Sequence, residues 1–268
     1  MAMSWLLPIL AALAAWWAGT LTVLVLSRIG GTGRRLALRG GWILVVLLIP
    51  MLILLHPQDS PAAAYLGFAA GLALWGWQEL LFLQGVATGS RKAPSRPGRK
   101  GLARIREAFE AISHHEVGLF ATLLVLALLS IGAALPVALW TFSALWILRL
   151  SAKLNLFYGV PHPNGHLFPP RIRHLASFIG RPRRSLPLLI CIGGWFGLAT
   201  GLFISGIAHE GSGLSTALLL LGGLVGLGAL EHLAFLFRLP LEELWGWDVD
   251  DPPQGPMPRD RKALEGLF

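Results

Sequence analysis

RKAPSRPGRKGLARIRE, residues 91–107, holds seven of the twenty-two Lys and Arg residues of this chain and lies between long apolar runs on either side. Toward the N-terminus such runs occupy residues 63–86, 41–56 and 4–27; toward the C-terminus they occupy 117–135, 137–158, 186–208 and 214–237. A bilayer core needs about 20 mainly apolar residues per helix, so these runs predict seven spans. The second is the shortest and contains Pro50, and a start at Leu36 would lengthen it.

The other basic residues sort with the opening stretch. Arg28, Arg34, Arg35 and Arg39 follow the first run, and Arg171, Arg173, Arg181, Arg183 and Arg184 follow the fifth. Arg238, Arg259, Arg261 and Lys262 follow the seventh, while Arg149 and Lys153 lie within the fifth. The alternate turns, HPQDSP (56–61), the bend at Leu135 and Pro136, and HEGSG (209–213), hold no Lys or Arg. Cytoplasmic loops carry the excess of Lys and Arg, so the N-terminus is expected to be periplasmic and the C-terminus cytoplasmic. The fold class that follows is an all-α integral membrane protein. Residues 1–238 form a seven-helix transmembrane domain with cytoplasmic loops 87–112 and 159–185, and residues 239–268 form a cytoplasmic tail.

Composition agrees, with 54% hydrophobic and 13% charged residues and a mean hydropathy of +0.64, which a water-soluble surface does not accommodate. The net charge of +8 and pI near 10.7 do not indicate a nucleic-acid partner. No reading motif accompanies the charge, and basic residues beside a membrane are explained by topology and anionic headgroups. Met1–Trp5 lacks the positive leading region of a cleavable signal, so the first run is read as a retained span. The single cysteine, Cys191, excludes an intrachain disulfide.

Gly193, Gly197 and Gly201, followed by Ser205, and Gly222 with Gly226, recur at four-residue spacing, which predicts close packing of the sixth and seventh spans on each other or on a second copy. Trp5, Trp245 and Trp247 suit membrane interfaces. Trp75, Trp77, Trp140, Trp146 and Trp195 lie deeper, as core or as the lining of a pigment or quinone pocket. In HPNGH (162–166), His162 and His166 have a metal-like spacing but no visible third ligand. RIRHLASFIGRPRR (171–184) sets Ile172, Leu175, Phe178 and Ile179 on one side, as an amphipathic helix on the inner leaflet would. The segment RKAPSRPGRKG (91–101) resembles a linker.

Chemistry is concentrated in the ionisable groups within the spans, because such groups are costly in hydrocarbon unless paired or hydrated. At ~1.5 Å per residue, Glu79, Glu231 and His232 lie roughly 26 Å in from the outer ends of their helices. Lys153 and Asn155 lie close to that level, and His115 and Glu116 slightly deeper. Arg149 begins one turn above Lys153 and has the length to reach the same level. One polar layer is expected. It suits a buried ion-pair network, in which Arg149 and Lys153, at i and i+4, each take a carboxylate. A mononuclear non-haem iron or manganese site drawn from Glu79, His115, Glu116, Glu231 and His232 is a second reading, which the spacing only half fits, since the adjacent pairs His115-Glu116 and Glu231-His232 diverge by about 100°. Axial ligation of a chlorin magnesium or haem iron by His115 or His232, and ion or proton translocation, also remain open.

The blocks WGWQE (75–79), HHE (114–116), LWILRLSAKLNLFYGVP (145–161) and LEH (230–232), in this order and spacing, resemble the PuhE-type photosynthetic complex assembly proteins of purple bacteria. RLSAKLN is the most specific of them, and the resemblance runs from about Trp5 to Trp247. It implies a multi-pass protein of the bacterial inner (cytoplasmic or intracytoplasmic) membrane. It also implies partners among the reaction centre and light-harvesting 1 subunits or other assembly factors, and a role in their biogenesis or bacteriochlorophyll supply. No functional residues transfer from that family. The expectation is an assembly factor binding bacteriochlorophyll or a precursor within the bilayer, with His115 and His232 as candidate ligands and Trp75 and Trp77 as ring partners. The alternative is a membrane metalloenzyme acting on a tetrapyrrole or lipid.

Overall fold

A computed structural model describes residues 5–163 and 169–237. Seven α-helices account for most of it: α1 Leu6–Arg28, α2 Gly31–Leu55, α3 Pro61–Leu83, α4 Gly101–Leu129, α5 Val137–Tyr158, α6 Leu186–Ala208 and α7 Gly213–Ala234, with a 3-10 helix at Pro170–Phe178 between α5 and α6. All seven α-helices are long and apolar enough to cross a membrane. These are the proportions of a multi-pass membrane protein. Residues 238–268, with Trp245 and Trp247, lie outside the described residues, as does His166.

Local chemistry sets the helix starts. Ser60 caps α3 by accepting from Ala63 N at 3.2 Å, with Pro61 in the first turn, and Ser212 caps α7 by accepting from Ser215 N at 3.0 Å. Both satisfy a backbone donor that a helix N-terminus leaves without an intrahelical partner. Two helices start earlier than the apolar runs indicate. α2 begins at Gly31 rather than Gly41 or Leu36, and Pro50 lies inside it. α4 begins at Gly101, within the expected loop, and ends at Leu129 instead of Leu135. The reason is the same in both: a charged first turn continues a helix readily outside the hydrocarbon, where hydropathy carries no signal of it.

α7 is the central helix and α3 is next. Within their most apolar 18-residue windows, 72% of α7 and 56% of α3 is buried, against 6% for α1 and for α2. Lipid is as apolar as leucine, so packing between helices relies on close approach, and small residues supply it. A Cβ on Gly71 of α3 would lie 2.9 Å from Ala138 O of α5, and one on Gly228 of α7 would lie 2.5 Å from Leu148 of α5. Gly222 meets Phe203 of α6, as its four-residue spacing with Gly226 suggests. Gly193, Gly197 and Gly201 behave differently: a Cβ on each would meet open space. That face of α6 does not pack inside the bundle.

The turns separate by charge. His56 Nε2 meets Ile131 O at 2.9 Å and Ala134 N donates to His56 O at 2.9 Å, while a Cβ on Gly213 would touch Asp59 and Leu135. The three turns without Lys or Arg therefore meet at one end. At the other end Gln84, 2% exposed, ties three segments together. Its amide donates to the carbonyls of Leu26 at 2.7 Å and Ser27 at 3.1 Å, while its Oε1 accepts from Arg34 at 2.9 Å and from Arg171 at 3.0 Å.

The expected linker is folded against this Arg-rich end. Ser90 Oγ and Arg91 N reach Glu110 O, and His115 N donates to Thr88 O at 3.0 Å. The buried Glu107 carboxylate pairs with Arg91, Arg96 and Arg99 at 4.0, 3.7 and 3.4 Å. The stretch after Pro169 also differs from expectation. Ile172, Leu175 and Phe178 are spaced by three and eclipse on a 3-10 helix, and they bury against Phe82 and Ala111. The apolar side covers protein rather than lipid. Within this helix, burial holds the His174 imidazole below the ordinary histidine pKa, against a backbone hydrogen bond at Arg91 that works the other way.

Candidate functional site

α5 carries the site, and it does so on two opposed faces. Residues four apart share a helix face and residues two apart do not, so Arg149 with Lys153 turns one way and Ser151 with Asn155 the other.

On the first face, Lys153 Nζ reaches Glu116 Oε1 of α4 at 2.6 Å, and Trp146 Nε1 donates to Glu116 Oε2 at 3.0 Å. Arg149 approaches Glu79 Oε2 of α3 at 3.8 Å, and Glu79 Oε1 lies 3.7 Å from His115 Nε2. His115 has no exposed surface. Its ring stacks on Phe82 at 4.4 Å between centroids, and neither ring nitrogen has a hydrogen-bond partner. On the second face, His232 is fully engaged. Its Nδ1 meets Gly228 O at 2.7 Å and its Nε2 meets Ser151 Oγ at 2.9 Å, with Trp195 Nε1 also on that hydroxyl at 3.4 Å. Asn155 donates to Ser151 O at 2.9 Å and to Cys191 Sγ at 3.5 Å.

The polar residues read from sequence thus form two clusters with α5 between them. Glu79, His115 and Arg149 meet, Glu116 meets Lys153, and His232 stands apart with Ser151. Among the described residues, no group of three or more His, Cys, Asp or Glu side chains is placed to hold a metal ion. Trp75 and Trp77 belong to neither cluster: Trp75 packs edge-on to Phe142 and Trp77 to Trp42.

A groove of about 740 Å³ runs beside the first face. Its walls are α4, α5, the 3-10 helix and the end of α7, and its polar groups are Glu116, Arg149, Lys153 and Glu231. That volume falls within the range of about 300–1,000 Å³ usual for ligand sites. Phe109, Phe120, Trp146, Phe157, Tyr158 and Phe178 are among eight aromatic residues that line it, the others being Phe82 and Phe235. Val117, Phe120, Leu150, Leu154 and Tyr158 remain exposed along its mouth, so it opens to the apolar surroundings of the bundle. The sequence shows the polar ends of this groove but not its walls. Trp146 reads as core or as pocket lining, whereas Phe120 and Phe157 read as ordinary span residues, and the gap between α4 and α5 makes all three a lining.

Over 203 residues the chain is 33% identical to a protein of Rhodobacter capsulatus described as an uncharacterized 30.4 kDa protein in the puhA 5′ region, covering 74% of this chain and 73% of that one. No solved structure matches. A family profile matches residues 1–255, and the chain belongs to that family, described as protein of unknown function DUF3623.

Proposed function

We propose that this chain is a multi-pass assembly factor of the bacterial inner membrane that serves the photosynthetic reaction centre and light-harvesting 1 complex and binds bacteriochlorophyll or a precursor. Support for the process comes from the Rhodobacter capsulatus relative, whose coding region lies beside puhA in a photosynthesis gene region. The observation that carries the ligand class is the aromatic-walled groove open to the bilayer side of α4 and α5. A flat conjugated ring with a long apolar substituent gains from stacking on such walls and can enter from the membrane without crossing water. The polar groups at one side of the groove orient a ligand of that kind by its few polar substituents. In this reading the Arg-rich end is cytoplasmic and the ligand sits at inner-leaflet depth.

The test is isolation in a gentle detergent from photosynthetically grown cells, followed by an absorption spectrum and a census of copurifying subunits. Tetrapyrrole absorbance together with reaction-centre or light-harvesting 1 subunits is expected. Colourless protein free of those subunits would count against the reading. Stoichiometric iron or manganese, lost in Glu231→Ala and His232→Ala variants, would redirect it to a metalloenzyme.

A further inference from the structure

Within the pigment-binding reading, the two histidines that sequence offers as axial ligands are turned away from the groove. His115 is sealed behind Phe82, and both nitrogens of His232 are occupied on the opposite side of α5. The residue next to His232 is placed differently. Adjacent helical positions diverge by about 100°, and this turns Glu231 into the groove while His232 faces Ser151.

Among the described residues, the Glu231 carboxylate makes no hydrogen bond and no ion pair. Arg149, on the same groove, is near enough to interact electrostatically with it but makes its close approach to Glu79 instead. A carboxylate at membrane depth needs a partner, and here the available space is the groove itself. Magnesium is a hard cation that takes oxygen ligands, and a tetrapyrrole magnesium offers an open axial position above a flat ring. Aromatic walls take the ring, and a carboxylate takes the metal. Resting on the reading above, we propose that Glu231 is the axial oxygen ligand to the magnesium of a tetrapyrrole lying in the groove between α4 and α5. In that step a carboxylate oxygen replaces a weakly held axial solvent molecule, with no change of oxidation state and no proton transferred. The site would then select the magnesium form over the metal-free ring.

Purified full-length protein in mild detergent is titrated with bacteriochlorophyll a and with bacteriopheophytin a, its metal-free counterpart, reading quenching of tryptophan fluorescence and the ring-coordination bands of the resonance Raman spectrum. Wild-type protein is expected to bind the magnesium form roughly tenfold more tightly, a difference of about 1.4 kcal/mol. Glu231→Met, which keeps the length and removes the hard oxygen, is expected to abolish that preference, so that the two rings bind with equal affinity. Retained binding of the metal-free ring shows that the groove is still formed. If the preference persists in Glu231→Met, or wild-type protein binds both rings equally, the Glu231 assignment fails and pigment binding stands. If wild-type protein binds neither ring, the pigment-binding reading falls and the assignment with it.

Discussion

Lys153 and Glu116 are held together at 2.6 Å, with the lysine side chain 24% exposed and the glutamate 12%. Neither charge is tolerable alone at that depth, because removing one partner leaves the other desolvated without compensation. Lys153→Met is therefore expected to destabilise the bundle by about 1–3 kcal/mol, below the cost for a fully buried pair because the groove leaves the site partly open. Adding Glu116→Gln should restore most of it, since the amide oxygen still accepts from Trp146 and no charge is left behind. Thermal unfolding in detergent of the two single variants and the double variant measures this coupling. A loss in the double variant equal to the sum of the two single losses would show that the pair contributes nothing.

At the scale of the elements, two runs of glycine with the same spacing have opposite consequences. Gly67 and Gly71 let α3 lie against Val137, Ala138 and Thr141 of α5, where an added Cβ has no room. Gly193, Gly197 and Gly201 of α6 meet nothing inside the bundle. Gly71→Leu is expected to cost about 1–3 kcal/mol by overpacking, whereas Gly197→Leu should stay within about 0.5 kcal/mol for the monomer. Melting temperatures of the two variants in the same detergent compare them, and a larger loss at Gly197 would mean that α6 packs on something outside this chain. The 3-10 helix carries a related lesson. Its apolar residues recur every three positions, and that period, rather than 3.6, lets Ile172, Leu175 and Phe178 bury together over Phe82 and close one wall of the groove.

For the whole molecule, the separation of charge between its two ends predicts a membrane orientation. In a Cys191→Ala background, a membrane-impermeant thiol reagent applied from the periplasm is expected to modify Asp59→Cys and to leave Arg99→Cys unmodified until the membrane is opened. The reverse pattern would invert the topology and put the groove at the outer leaflet. The same assignment locates ligand entry, because the mouth between α4 and α5 lies toward the Arg-rich end, beside the 3-10 helix.

The seven spans and the sorting of basic from non-basic turns could be read from sequence alone. Both follow from transfer of side chains and charges between water and hydrocarbon, a property of each residue that no fold is needed to evaluate. The residues of the polar clusters were legible for the same reason: Glu79, His115, Glu116, Arg149, Lys153, Glu231 and His232 are conspicuous in apolar surroundings. That Arg149 and Lys153 would each take a carboxylate followed from their i, i+4 spacing, but which carboxylate each takes did not, because depth along a helix follows from residue number whereas the direction a side chain faces depends on how the helices rotate and pack. Only the tertiary structure set Lys153 on Glu116 and His232 on Ser151, folded the linker onto Glu107, left the α6 glycines uncovered, and opened beside α5 the groove that Glu231 enters and His232 does not.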